Sequence, residues 1–353
     1  MNDLLKTLRD MANVQTKANE ANATTQAGAG AEFDFSAYVP KILEKARQKK
    51  TLFSLIPEEN IHDLPSATST LFLEGDDPIF YNADENDDEP TAAGPYTSSR
   101  AGTADTTVTA RKAVCRVVIS TEMLEDNVTD QDFEKYVVAK IGQAYRSTLE
   151  EYLINGDTQT GTTNINAYGA AASTTLPYSR HNGLLKACFS NSTTYDGGTL
   201  DTGDIRAGRA LMGLRGVDPT ELVAVMDIAT YNKILNLGQV ETVEKFGTKA
   251  TIVNGVLSAI DGMEVLPTSY LVKGDANGRI DGVTAGNNVK GRILLVNKPA
   301  VHVGFRRQLK IKPWVDDKND QVGFTASFRY GQVFPYAGTT DAKAQALIYN
   351  VTV

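Results

Sequence analysis

Between Thr51 and Ser99 the chain carries no Lys or Arg, and this absence constrains its fold more than any other feature. Acids accumulate over the same stretch, at Glu58, Glu59, Asp63, Glu74, Asp76 and Asp77, then at Asp84, Glu85, Asp87, Asp88 and Glu89. Pro57, Pro65, Pro78, Pro90 and Pro95 punctuate it. Short strand-like pieces, Leu71–Leu73 and Thr106–Thr109, bracket the acidic centre. Two strands separated by a long polar tip predict an extended β-ribbon. Such a ribbon buries no core of its own, and an acid-rich, Pro-rich segment left alone tends towards disorder. An ordered ribbon therefore calls for the surface of another chain. The stretch predicts a protein made to assemble with copies of itself, not to catalyse a reaction.

The bulk numbers set bounds around that expectation. A length of 353 residues allows two modest domains, or one domain with a large excursion. The hydrophobic share of 41% is that of an ordinary folded protein, so a packed core is expected outside the ribbon. A formal net charge of −8 disfavours a simple nucleic-acid binder, whose affinity rests on clustered Lys and Arg. A protein can still enclose DNA without gripping it. Cys115 and Cys188 lie far apart with no CxxC pair, and each reads as a small apolar residue. No apolar run reaches the length of a membrane span. The opening MNDLLKTLRDMANVQTKANE holds acids and lacks the apolar stretch of a secretory signal, so synthesis in a reducing cytoplasm is expected.

Before the ribbon, Leu4, Leu5, Leu8, Met11 and Val14 fall near helical spacing, and an Ala/Asn/Thr/Gly filler runs from Ala21 to Ala31. So short a helix is marginal in water without a partner surface. A basic helical run, KILEKARQKK, precedes the ribbon. After it, AVCRVVIS (Ala113–Ser120) reads as a strand, and Thr129 with Asp132 has the spacing of a helix-start capping box. Phe133, Val137, Ile141, Ala144, Tyr145, Thr148, Leu149 and Tyr152 then form one apolar stripe. That pattern predicts a helix of roughly 35–40 Å, closed at Asn155-Gly156 by a left-handed glycine. Residues 180–298 alternate helix and strand signals and predict a compact α/β domain. Its helices are expected at Ile205–Gly216 and Ala229–Leu237, its strands at Leu222–Met226, Met263–Leu266 and Arg292–Val296. Further on, Val301, Val303 and Phe305 alternate with polar or small residues, as do Val322, Phe324, Ala326, Phe328 and Tyr330. This is the period of half-buried strands, and DDKND (Asp316–Asp320) supplies the hairpin turn between them.

Signatures of chemistry are sparse. His62, His181 and His302 are scattered without HExxH or HxH grouping, which makes a metal site on them an unattractive reading. GxSxG, Walker A and GxGxxG patterns do not occur. DDKND is half of a calcium loop without its central glycine and distal glutamate. Glu122 and Glu125 sit beside a helix start, where acids meet the dipole favourably. The sequence points to no catalytic residue, no metal ligand and no cofactor.

Three passages in order resemble the major capsid proteins of tailed bacteriophages of the Hong Kong 97 type. The first is VVISTEMLEDN (Val117–Asn127) with the long helix and LINGD (Leu153–Asp157). The second is AVMDIATYNKILNL with the later GMEVLPTSYL. The third is VHVGFRRQLKIKPWVDDKNDQVGFTASFRY (Val301–Tyr330). No single motif is diagnostic, but the order of three spans nearly the whole chain. The resemblance implies an α+β fold: an N-terminal arm (1–55), an extended β-ribbon loop (56–111), a peripheral domain with a long spine helix (112–179 and 300–344), an α/β axial domain (180–299) and a C-terminal tail (345–353). It implies hexamers and pentamers in an icosahedral shell enclosing double-stranded DNA, made in the host bacterial cytoplasm and resident in the virion. Implied partners are further copies of the chain, a portal, a decoration protein and, since the family's long N-terminal scaffolding extension is missing, a separate scaffolding protein. Some members cross-link a loop lysine to a neighbour's asparagine with help from a glutamate. Asn319 resembles the acceptor, but this loop has no lysine, so non-covalent assembly is expected. The acids Glu74, Asp76, Asp77, Asp84, Glu85, Asp87, Asp88 and Glu89 are then expected to face the basic cluster Arg306, Arg307, Lys310, Lys312 and Arg329 across a subunit boundary. An encapsulin-like compartment shell, which shares the fold but encloses protein cargo, is the competing reading.

Overall fold

The structure, a computed structural model, describes residues 48, 50–75, 77–78, 80, 101–120, 133–172, 177–237, 257, 259–335 and 343–353. The chain divides into two units, residues 1–46 with 120–137 and residues 47–119 with 138–353. The second unit holds nearly all of the described residues. The expected N-terminal helices, the capping box at Thr129 and the acidic tip at 84–89 lie outside them.

In chain order the elements are β1 (Ile61–Asp63), β2 (Thr68–Glu74), β3 (Thr103–Thr109), β4 (Arg111–Ser120), α1 (Phe133–Asn155), α2 (Leu184–Ser190), β5 (Thr194–Asp196) and α3 (Thr202–Ala210). They continue with β6 (Leu222–Met226), α4 (Ile228–Leu235), β7 (Ala259–Ile260), β8 (Met263–Pro267), β9 (Gly291–Asn297), β10 (His302–Asp316), β11 (Gln321–Val333) and β12 (Gln345–Val351). Among the described residues these form three sheets: a six-stranded sheet in the order β5-β12-β9-β6-β8-β7, a four-stranded sheet in the order β1-β10-β11-β4, and the two-stranded ribbon β2-β3.

The centre of the six-stranded sheet is buried on both faces. Every residue of β6 and β9 is inaccessible to solvent, and alternation divides them between two cores. Val223, Val225, Leu294 and Val296 point into one, with Leu153 and Ile154 of α1 and Leu184 and Leu185 of α2. Leu222, Ala224, Met226, Ile293 and Leu295 point into the other, with Ile205 of α3 and Tyr231 and Ile234 of α4. Asp227 starts α4 by accepting hydrogen bonds from the Ala229 and Thr230 amides, the side-chain cap expected of an aspartate there.

Residues 345–353 are not the expected tail: residues 345–351 form β12, buried between β9 and β5. Its apolar run Ala346-Leu347-Ile348 supplies side chains to both cores. The helix expected to reach Gly216 stops at Ala210, and residues 214–216 form a separate 3₁₀ turn after Gly213, whose φ of +59° is not helical.

The long helix α1 runs over 23 residues, about 35 Å at the standard rise. Of its stripe, Val137, Ile141, Leu149 and Tyr152 are buried. Gly156 closes it for a reason other than the one expected. It is not among the left-handed glycines; instead a Cβ there would stand 2.4 Å from the His181 carbonyl oxygen and 2.7 Å from that of Tyr152. Close packing against residues 181–183, not a left-handed turn, demands the glycine.

Candidate assembly surfaces

The β10–β11 hairpin brings the five predicted cations together. Its register sets Arg307 opposite Arg329, Lys310 opposite Ser327 and Lys312 opposite Thr325, so these side chains share one face. Irregularities flanking Arg307 add an extra residue to β10 on each side, which lets Arg306 join the exposed set. The other face carries Phe305, Ile311, Phe324, Ala326, Phe328 and Tyr330. Phe328 meets Tyr145 of α1 edge-on at 4.8 Å, and Tyr330 stacks on Tyr152 at 5.7 Å. Alternation thus spends one face on the core and leaves the other for cations. Arg306 donates to the Leu64 carbonyl (3.4 Å) and Arg307 to Ser327 Oγ (2.8 Å). Among the described residues none of the five pairs with a carboxylate. Arg116 of β4 extends the same face: its guanidinium lies 4.1 Å from the ring centre of Trp314, whose strand neighbour is Gly323. Sequence reasoning missed Arg116, although its place as the one cation in the strand-like run AVCRVVIS was the available signal. The turn forms as DDKND predicts, with Asp316 accepting from the Lys318 amide (3.1 Å) and the Asn319 side chain (2.8 Å).

The ribbon is antiparallel from Thr68↔Thr109 to Glu74↔Thr103. Leu71, Leu73 and Val108 lie on one face; Thr70, Phe72, Glu74 and Asp105 lie on the other. Its root is pinned by a small cluster of Leu64, Val108 and Ala110 with Leu71 and Val333 against it. Gly331 of β11 makes room for it, since a Cβ there would meet Val108 at 2.7 Å and the Thr109 carbonyl oxygen at 2.8 Å. Beyond the root Phe72 is 87% exposed. Of the predicted acids, Glu74 ends β2 and Asp77 is exposed beyond it, while Asp76, Asp84, Glu85, Asp87, Asp88 and Glu89 lie outside the described residues.

Two polar contacts, one buried and one half-buried, tie the segment before the ribbon to the body. Glu150 of α1 is wholly buried and accepts the Leu52 amide (2.7 Å) on Oε1 and the Phe53 amide (2.9 Å) on Oε2. Burial raises its pKa, and the two amides act against that rise. His62 of β1 and His302 of β10 stack with ring planes 7° apart, His62 Nε2 lying 3.0 Å from His302 Nδ1. Burial first, then His62 and Arg215, pushes His302 down to about 4. Burial, then Arg111 and Arg180, does the same for His181, which packs edge-to-face against both Tyr152 and Tyr330. No three His, Cys, Asp or Glu side chains among the described residues gather where a metal ion could sit.

A family model described as the phage capsid family matches residues 6–334. The chain belongs to that family. Solved structures of similar fold include those titled Mycobacterium phage Bobi (16% identical, TM-score 0.57, covering 90% of this chain and 95% of that one) and Microbacterium phage Oxtober96 (14%, 0.58, 91% and 99%). A third is titled as the capsid of an empty GTA particle computed with C5 symmetry (13%, 0.58, 92% and 100%). No curated protein matches. This capsid family member is therefore a structural protein of mixed α+β fold, a virion component that works as one subunit of a multi-subunit shell.

Proposed function

We propose that this capsid protein is the major capsid protein of a tailed bacteriophage, with the Hong Kong 97-type arrangement. Hexamers and pentamers of it close an icosahedral shell around double-stranded DNA. The extended loop, residues 56–111, lies over a neighbouring subunit's peripheral domain, residues 112–179 and 300–344. The axial domain is the six-stranded sheet, residues 180–299 completed by β12. A scaffolding protein, a portal and a decoration protein are its expected partners in the host cytoplasm and the virion.

The observation that carries this reading is a basic hairpin face that no described carboxylate of the same chain neutralises. The hairpin face gathers Arg306, Arg307, Lys310, Lys312 and Arg329 without a described carboxylate partner, while the loop from Thr51 to Ser99 holds acids and no cation. Exposed ion pairs contribute only ~0–1 kcal/mol each. Repetition over a shell sums them, and their pattern sets register more than affinity. The absence of a loop lysine makes the contacts non-covalent.

Electron microscopy of particles purified from cells making the chain, with scaffolding protein supplied, tests the reading. Uniform icosahedral particles are expected, and material that stays dispersed overturns it. Packaged DNA separates a phage head from a protein-filled compartment. On a heated, reduced denaturing gel the particles should run as a single 353-residue band, and a ladder of linked subunits would refute non-covalent closure.

A further inference from the structure

Between α1 and the core-facing side of the four-stranded sheet lies a cavity of about 330 Å³, open on one side. Its apolar wall comes from Ile141 and Tyr145 of α1 and Phe328 of β11, and Lys112 and Arg180 also line it. Neither cation pairs with a carboxylate among the described residues. The volume is at the small end of those that take up a ligand or a large side chain. Apolar walls that face water gain when an apolar side chain covers them.

The ribbon carries the complementary shape. Phe72 stands 87% exposed on β2, and its cross-strand partner Asp105 presents an exposed carboxylate on the same face. An aromatic knob beside a carboxylate matches an aromatic-walled hollow beside two cations. Anchors of this kind, seated in pockets and ringed by polar contacts, dominate interface energies.

We propose that this cavity is the seat for Phe72 of a second copy of the chain, with that copy's Asp105 meeting Lys112 and Arg180. The inference rests on the shell reading and adds to it a specific lock between neighbours.

The chain carries its own reporter. Cys115 is exposed and lines the cavity, whereas Cys188 is buried with its thiol pushed up to about 12 and stays silent. Maleimide should label Cys115 rapidly in dissociated subunits and at least ~10-fold more slowly in assembled shells, where reaction waits for local opening. Phe72→Ala should abolish shells or leave Cys115 unprotected in them, with the subunit's thermal midpoint unchanged. Ala144→Trp, which obstructs the cavity from an exposed position on α1, should do the same. Asp105→Lys should impair assembly, and adding Lys112→Asp should restore it in part. Phe72→Ala shells that protect Cys115 as fully as the wild type overturn the proposal. If removal of residues 1–47 then exposes the thiol, the cavity belongs to the N-terminal arm instead. Wild-type shells with freely reactive Cys115 sink the pocket alone, whereas a wild-type chain that forms no shell sinks the shell reading with it.

Discussion

Strand β9 and the ribbon β2–β3 are both β-structure, each strand seven residues long, yet they stand at opposite ends of what a sheet can be. All seven residues of β9 are buried, flanked by β6 and β12 and covered on both faces. Among the described residues the ribbon pairs only with itself and leaves Phe72 in water. One is stable because of what this chain supplies; the other, on the proposed function, is completed by a neighbour. Damage to the first should therefore register as lost folding, and damage to the second as lost assembly by a subunit that still folds.

The largest effect is expected at Leu294, which is fully buried in β9. Leu294→Ala should cost about 2–5 kcal/mol by leaving a cavity, read as a lowered denaturant midpoint. A subunit that loses less than 1 kcal/mol, a bound set by the same comparison, would contradict a rigid two-sided core.

Acid follows. For His181, whose folded value of about 4 lies below its ordinary 6.5, the unfolded chain takes up the proton first. Its contribution is complete above pH 6.5 and is lost as pH falls towards 4, an effect of about 3 kcal/mol for a buried imidazole. His302 acts in the same direction. Glu150, whose pKa is raised, opposes them, because its folded form binds the proton more readily and gains as pH falls. Stability of the dissociated subunit measured from pH 7 to pH 4 should decline, and His181→Phe should flatten the curve.

Glu150→Gln comes next. Glutamine keeps one acceptor for the Leu52 and Phe53 amides and turns an NH₂ towards the other, so a loss of about 1–3 kcal/mol is expected in a thermal melt. Smallest for the subunit, and largest for the shell, is Arg306→Glu with Arg307→Glu. The melt should barely move, while particles should fail to form, and raised salt should weaken wild-type assembly in the same sense. Normal particles from the double variant would discard the pairing of acidic loop with basic hairpin.

What the sequence displayed and what it hid follow the same division. Helix α1 and strand β11 were legible because a long stripe and a strict alternation repeat often enough to outvote local noise. The five cations were legible because one strand gathers four of them. Glu150 was not, since a carboxylate in a charged helix reads as a solvated face until the chain returns to cover it. His62 and His302 are 240 residues apart and meet only through the parallel pairing of β1 with β10. The β12 run is short, and nothing local says that β5 and β9 leave a gap of its width.

That gap also sets an order of events. Strand β12 stands between β5, made some 150 residues earlier, and β9, so the six-stranded sheet cannot close until residues 345–351 have been synthesised. A nascent chain thus presents its ribbon and its basic hairpin before the domain that anchors them is whole. Until then β5 has no strand to pair with and β9 keeps one edge open, so a single late strand joins the two parts of the sheet.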